Sequence, residues 1–209
     1  MTLALKFLAS FLIGSIPFAK VAMLATGIDI TKVGSKNPGF NNVLRVSTWW
    51  RAAIALTGDI SKGYVALWLL GRGETSAMGL WIIGIAPVIG HCWSPFLGFN
   101  GGKGVATTVG VLLFLEPRIA VPCLPLYVLL RLMGHKLRWR QEGAVASLCT
   151  MFLVATLVLG FQGLEPGIFA YVMFAIVVIR HVPNLREIFA SKPESPHARP
   201  KSQEWLWPR

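Results

Sequence analysis

Apolar residues run along this chain in long blocks, and short polar clusters separate them. The blocks fall at about 3–25, 50–70, 77–96, 104–116, 119–133, 143–162 and 166–180. A crossing of ~30 Å of hydrocarbon takes ~20 helical residues. The pattern therefore predicts an all-α, polytopic membrane protein with about seven transmembrane helices. The fourth and fifth blocks are short for a crossing and are expected to be tilted, half-crossing or extended through polar neighbours. The first block carries one early cation, Lys6, and runs into Gly14-Ser15-Ile16-Pro17-Phe18-Ala19-Lys20 without a cleavage region. It reads as a retained spanning helix and not as a removed leader.

Composition strengthens this picture. The 209 residues are 54% hydrophobic and 14% charged, against about 25% charged in soluble domains. Mean hydropathy is +0.60. No linker or second composition regime interrupts residues 1–190, which predicts a single transmembrane domain. Residues 191–209, rich in Pro, Ser and charge, are expected to form a loosely ordered cytoplasmic tail, with Trp205 and Trp207 at the membrane interface.

The net charge of +11 follows the loops. With seven spans, one set of loops holds Lys32, Lys36, Arg45, Lys103, Lys136, Arg138, Arg140 and the basic residues from Arg180 onward. The other set holds Lys6, Arg72 and Arg118, diluted by Glu74, Glu116 and Glu165. The positive-inside bias predicts the N-terminus outside and the C-terminus inside. No motif for RNA or DNA accompanies these cations, so nucleic acid is not an expected partner. The unclustered Cys92, Cys123 and Cys149 predict buried free thiols, without a disulfide framework or a zinc site.

Polar residues at the ends of membrane spans are costly unless they serve a site. In Phe99-Asn100-Gly101-Gly102-Lys103-Gly104, glycines let backbone N–H groups approach an anion, Lys103 adds charge, and a helix begins just after. A Walker A loop is excluded, because Leu97 stands where a glycine should and Gly104 follows the lysine. In Gly34-Ser35-Lys36-Asn37-Pro38-Gly39-Phe40-Asn41-Asn42-Val43-Leu44-Arg45, a tight turn presents neutral hydrogen-bonding groups, and Arg45 is suited to grip phosphate bidentately. Asp59 and Lys62, three apart on one helix face, predict a structural ion pair. His91 reads first as a packing residue. His181 and Asn184 share a face near the end of the last span, where Arg180 and Arg186 read as topology markers. The chain has no Gly-x-Ser-x-Gly elbow, His-Glu-x-x-His, paired carboxylates or His-x-x-x-x-Asp. A transferase built this way works by positioning and charge, with a substrate phosphate available to take the proton.

Taken in order, the clusters resemble the acyl-phosphate:glycerol-3-phosphate acyltransferase family of bacterial inner membranes. The carrying residues are Gly14-Ser15-Ile16-Pro17-Phe18, Gly34-Ser35-x-Asn37-Pro38-Gly39-x-x-Asn42-Val43-Leu44-Arg45, Asp59-x-x-Lys62-Gly63, Gly90-His91-x-Trp93, Gly101-Gly102-Lys103-Gly104-Val105-Ala106-Thr107 and His181-x-x-Asn184. The resemblance implies transfer of a fatty acyl group from acyl phosphate to the 1-hydroxyl of glycerol 3-phosphate, giving lysophosphatidic acid and phosphate. It implies a multi-pass protein of the inner membrane, surrounded by membrane lipids, with its site facing the cytoplasm. No metal or cofactor is implied; acyl phosphate is the co-substrate. Arg45, Lys103, His181 and Asn184 would be the catalytic set. Ser35, Lys36, Asn37, Asn42, His91, Gly101, Gly102 and Gly104 would bind substrate, with His91 near the acyl donor. Lys36 replaces a family glycine, Asn100 a lysine and Glu187 an arginine; Lys36 would compensate in charge for Asn100. The alternatives are a diverged relative acylating another phosphorylated polyol, or a small membrane transporter or flippase. Acyl-chain preference and oligomeric state are not encoded in these motifs.

Overall fold

A computed structural model describes residues 1–189, and every regular element among them is helical. In order these are α1 (Leu3–Ser15), α2 (Phe18–Met23), α3 (Phe40–Val46), α4 (Trp49–Leu70), α5 (Ala77–Cys92), α6 (Val105–Leu115), α7 (Pro117–Lys136), α8 (Glu142–Gln162) and α9 (Leu164–Phe189). Six stretches are long and apolar enough to cross a membrane: Leu3–Thr26, Trp49–Leu70, Ala77–Leu97, Pro117–Lys136, Glu142–Gln162 and Leu164–Phe189. The fourth apolar block is α6, whose 11 residues span only about 16 Å. The fifth lengthens through Pro117, Arg118, His135 and Lys136 to a full 20-residue helix. The last continues to Phe189, so His181 and Asn184 lie within α9. The expected tail at 191–209 lies outside the described residues.

The first block is not one helix. Pro17 has no N–H and disfavours helical backbone at Ile16, so α1 stops at Ser15 and α2 starts at Phe18. The break frees carbonyls in the middle of a span. Ser94 Oγ donates to Ser15 O at 2.6 Å, and Lys62 Nζ donates to Ile16 O at 2.9 Å. A backbone defect thus becomes two tertiary hydrogen bonds.

In lipid, helices gain from close approach more than from bulk apolarity, and small residues allow it. A Cβ on Gly14 would lie 2.2 Å from the Pro87 backbone, and one on Gly110 1.9 Å from Ile60 O. These contacts bring α1 onto α5 and α6 onto α4. One core runs through α4 to α9 and includes Leu67, Ile83, Val88, Val111, Val158 and Met173. A smaller core of Ala19, Met23, Ile30, Val43, Ala52 and Ala55 seats α3 and its preceding loop on α2 and α4. Cys92 and Cys123 are buried, but Cys149 is exposed, contrary to the expectation of three buried thiols.

Candidate active site

Between α3–α4 and α7–α8 lies a cavity of ≈ 540 Å³, with α6 and α9 supplying much of its polar end. That end carries Ser35, Asn37, Arg45, His91, Lys103 and Gly104, with His181 and Asn184 from α9. Beyond them runs an apolar trench of Leu56, Ile60, Val109, Leu124, Tyr127, Val128 and Met151. The arginine and lysine picked out by their motifs, far apart in sequence, face one hollow.

Lys103 precedes α6, whose N-cap Gly104 adopts φ +83 and offers no capping side chain. The first N–H groups of α6 therefore lack intrahelical partners, and Gly104, Val105 and Ala106 border the cavity. Lys103 Nζ donates to Asn184 Oδ1 at 2.5 Å, and Asn184 Nδ2 donates to Gln141 Oε1 at 2.6 Å. Burial pulls the Lys103 ammonium down to about 8; Glu187 opposes that shift, while Arg45 and Arg180 add to it. Arg45 reaches the cavity from α3 and makes no hydrogen bond to the described residues, so its guanidinium is available to an anion.

The glycines before Lys103 do a different job from the one expected. Gly101 N–H bonds Cys92 O at 3.1 Å and Gly102 N–H bonds His91 O at 3.0 Å, so neither is free for phosphate. Their carbonyls accept from Arg180, whose Nη2 reaches Gly101 O at 2.7 Å and Nε reaches Gly102 O at 3.0 Å. Neither residue borders the cavity. They are glycine because nothing larger fits: a Cβ on Gly101 would meet His91 O, and one on Gly102 His91 Nε2, each at 2.1 Å.

Below this loop sits a buried charge cluster. Lys62 Nζ donates to Ile16 O at 2.9 Å and lies 2.8 Å from both His91 Nδ1 and Asp59 Oδ1. Asp59 Oδ1 is held there by charge, without an aligned hydrogen bond. The expected ion pair is present, and it fixes His91 in place. His181 Nδ1 bonds Val177 O at 2.8 Å; a carbonyl only accepts, so Nδ1 carries a proton.

The first cluster divides in the same way. Ser35 and Asn37 border the cavity. Asn42 also borders it, but its amide is consumed internally: Oδ1 accepts Ser35 N–H at 2.8 Å, and Nδ2 donates to Ile30 O and Val33 O at 3.1 and 3.0 Å. It holds the loop and has little left for substrate. Lys36 is exposed, at φ +60, and stays off the cavity, so nothing here supports its compensating for Asn100.

Three contributors were not picked out as site residues from sequence. Arg180 clamps the glycine loop, although its position mimics a topology marker. Arg131 borders the cavity, paired with Glu142 Oε1 and bonded to Asn41 Oδ1, each at 3.2 Å. Gln141 bonds Asn184. Only Arg180 carried a local hint, a cation one residue before His181.

A membrane-embedded cavity with fixed cations at one end and an apolar trench at the other defines a protein that handles anionic amphiphiles. Comparison with known proteins narrows this. The chain belongs to the glycerol-3-phosphate acyltransferase family, whose model matches residues 4–191. A glycerol-3-phosphate acyltransferase of Laribacter hongkongensis is 36% identical over 193 residues, covering 88% of this chain and 92% of that protein. The crystal structure of PlsY, an integral membrane glycerol 3-phosphate acyltransferase, in its glycerol 3-phosphate form superimposes with a TM-score of 0.79. It shares 27% identity and covers 90% of this chain and 92% of its own. The lysophosphatidic acid form of that protein gives 0.77 at 26% identity, with the same coverage. Family membership decides against the transporter reading.

Proposed function

We propose that this chain transfers a fatty acyl group from acyl phosphate to the 1-hydroxyl of glycerol 3-phosphate, at the cytoplasmic face of a bacterial inner membrane. The observation that carries the reading is the convergence of Arg45, Lys103 and the α6 N-terminus at the mouth of an apolar trench. The acyl chain lies in the trench, among membrane lipids. The phosphates of donor and acceptor lie against the cations, which offset charge that would otherwise drive the reactants apart. His181 and Asn184 orient the glycerol hydroxyls. The acceptor oxygen attacks the acyl carbonyl, the bond from carbonyl carbon to phosphate oxygen breaks, and the hydroxyl proton leaves with phosphate. No cofactor enters this scheme.

The test is direct. Purified protein, synthetic acyl phosphate and labelled glycerol 3-phosphate should give lysophosphatidic acid and phosphate in equal amounts. Arg45→Ala or Lys103→Ala should abolish turnover without unfolding the bundle. A doubly substituted protein with near-wild-type activity would overturn the mechanism.

A further inference from the structure

Beyond Lys103 and Asn184 the polar chain continues. Lys103 Nζ donates to Asn184 Oδ1, Asn184 Nδ2 donates to Gln141 Oε1, and Gln141 Nε2 donates to the Glu187 carboxylate. Each end of the chain has a fixed sense. An ammonium only donates and an ionised carboxylate only accepts, whereas each amide between them has one face of either kind. Glu187 therefore turns Gln141 so that its oxygen faces Asn184. Asn184 must then offer its amide nitrogen to Gln141 and its oxygen to Lys103. Reversing either amide would set donor against donor and acceptor against acceptor.

We propose that Gln141 and Glu187 are positioning residues of this site, which together fix the direction of the Asn184 amide and keep Lys103 cationic beside bound phosphate. The proposal rests on reading the cavity as the acyl-transfer site. Three elements meet in it: the loop before α6, the α7–α8 connection and α9. Gln141 sits at the N-cap of α8 with φ +53, a left-handed backbone uncommon outside glycine, Asn and Asp. Charge gives the second argument. Arg45 on α3 and Arg180 on α9 both push Lys103 toward neutrality, and Glu187 opposes them. His91 on α5 and His181 on α9 line the same cavity. The other acids nearby are committed, Asp59 of α4 to Lys62 and Glu142 of α8 to Arg131 of α7.

The test follows the charge of Lys103 itself, by the ¹³Cε resonance of labelled lysines in the full-length protein in micelles, assigned with Lys103→Arg. Glu187 is exposed, which favours a fold that tolerates its substitution. Glu187→Gln should lower the Lys103 midpoint by roughly half a pH unit, the size an exposed charge pair supports, and less so in high salt. Glu187→Asp should restore most of that shift. Gln141→Leu keeps the acid but cuts the chain, and should raise KM for glycerol 3-phosphate several-fold, with a smaller fall in kcat. An unmoved midpoint in Glu187→Gln, or an unmoved KM in Gln141→Leu, overturns the proposal. If Glu187→Gln shifts the midpoint in a protein that acylates nothing, the electrostatic claim stands and the functional reading fails.

Discussion

Gly102→Ala offers a test in which one methyl group does all the work. Its Cβ would fall 2.1 Å from His91 Nε2, 2.8 Å from Cε1 and 3.0 Å from Cδ2. Ordinary contact begins near 3.4 Å, so ring and loop must part by about 1.3 Å. The ring is poorly placed to give way: its other nitrogen lies 2.8 Å from the buried Lys62 ammonium and 3.4 Å from Asp59. The loop must move instead, and Lys103 is the next residue along it. A misplacement of about 1 Å in a catalytic group costs on the order of 100-fold in rate, or about 2.7 kcal/mol of barrier. Steady-state acyl transfer should therefore fall roughly 100-fold, while thermal unfolding in detergent still shows a folded bundle. Gly160→Ala is the control, because a Cβ there meets nothing within 4 Å. Wild-type kinetics in a folded Gly102→Ala protein would refute the claim that this loop is positioned by contact with His91.

Lys103, held at about 8 chiefly by burial, is charged below that pH and neutral above it. KM for glycerol 3-phosphate should rise as pH passes upward through about 8, and Lys103→Arg should remove that alkaline limb; a limb that survives in the arginine variant argues for another group. For the buried pair, Asp59→Ala should destabilise by about 3–5 kcal/mol, because it strands the Lys62 charge. Asp59→Leu with Lys62→Met should cost less than the two single losses summed, as measured by unfolding in a double-mutant cycle. Arg180→Lys keeps the charge but cannot reproduce the two-carbonyl clamp on Gly101 and Gly102; kcat should fall at least tenfold, with little change in unfolding temperature.

Much of this architecture was legible because membrane spans are written locally. Twenty apolar residues in a row announce themselves, and all seven blocks correspond to helical stretches. The ends were harder. Arg118, His135 and Lys136 belong to α7, yet hydropathy excludes them because charged side chains at helix ends can reach toward water. The break at Pro17 was visible as a proline but not as a device, since its consequence lies in Ser94 and Lys62, far along the chain. Arg45, Lys103, His181 and Asn184 were found through motifs, and they do share a cavity. Asn42, Gly101 and Gly102 came from the same motifs, but the structure gives them internal bonds and tight packing. A motif records that a residue type is needed, not which neighbour needs it. Arg131 and Asn41 lie 90 positions apart, and Gln141 and Glu187 lie 46 apart, distances at which no spacing rule operates.

The shortness of α6 bears on where the two reactants meet. Gly101 and Gly102 return the chain to the level of Cys92 and His91, and His91 in turn touches Asp59, halfway along the 22-residue α4. The N-terminus of α6 therefore starts near the middle of α4 and not at the level where that helix begins. On the proposed reading, a water-borne polyol would descend to it, while a greasy donor would need to rise very little. Such a floor would spare the enzyme the work of hauling a long hydrocarbon tail out of the bilayer.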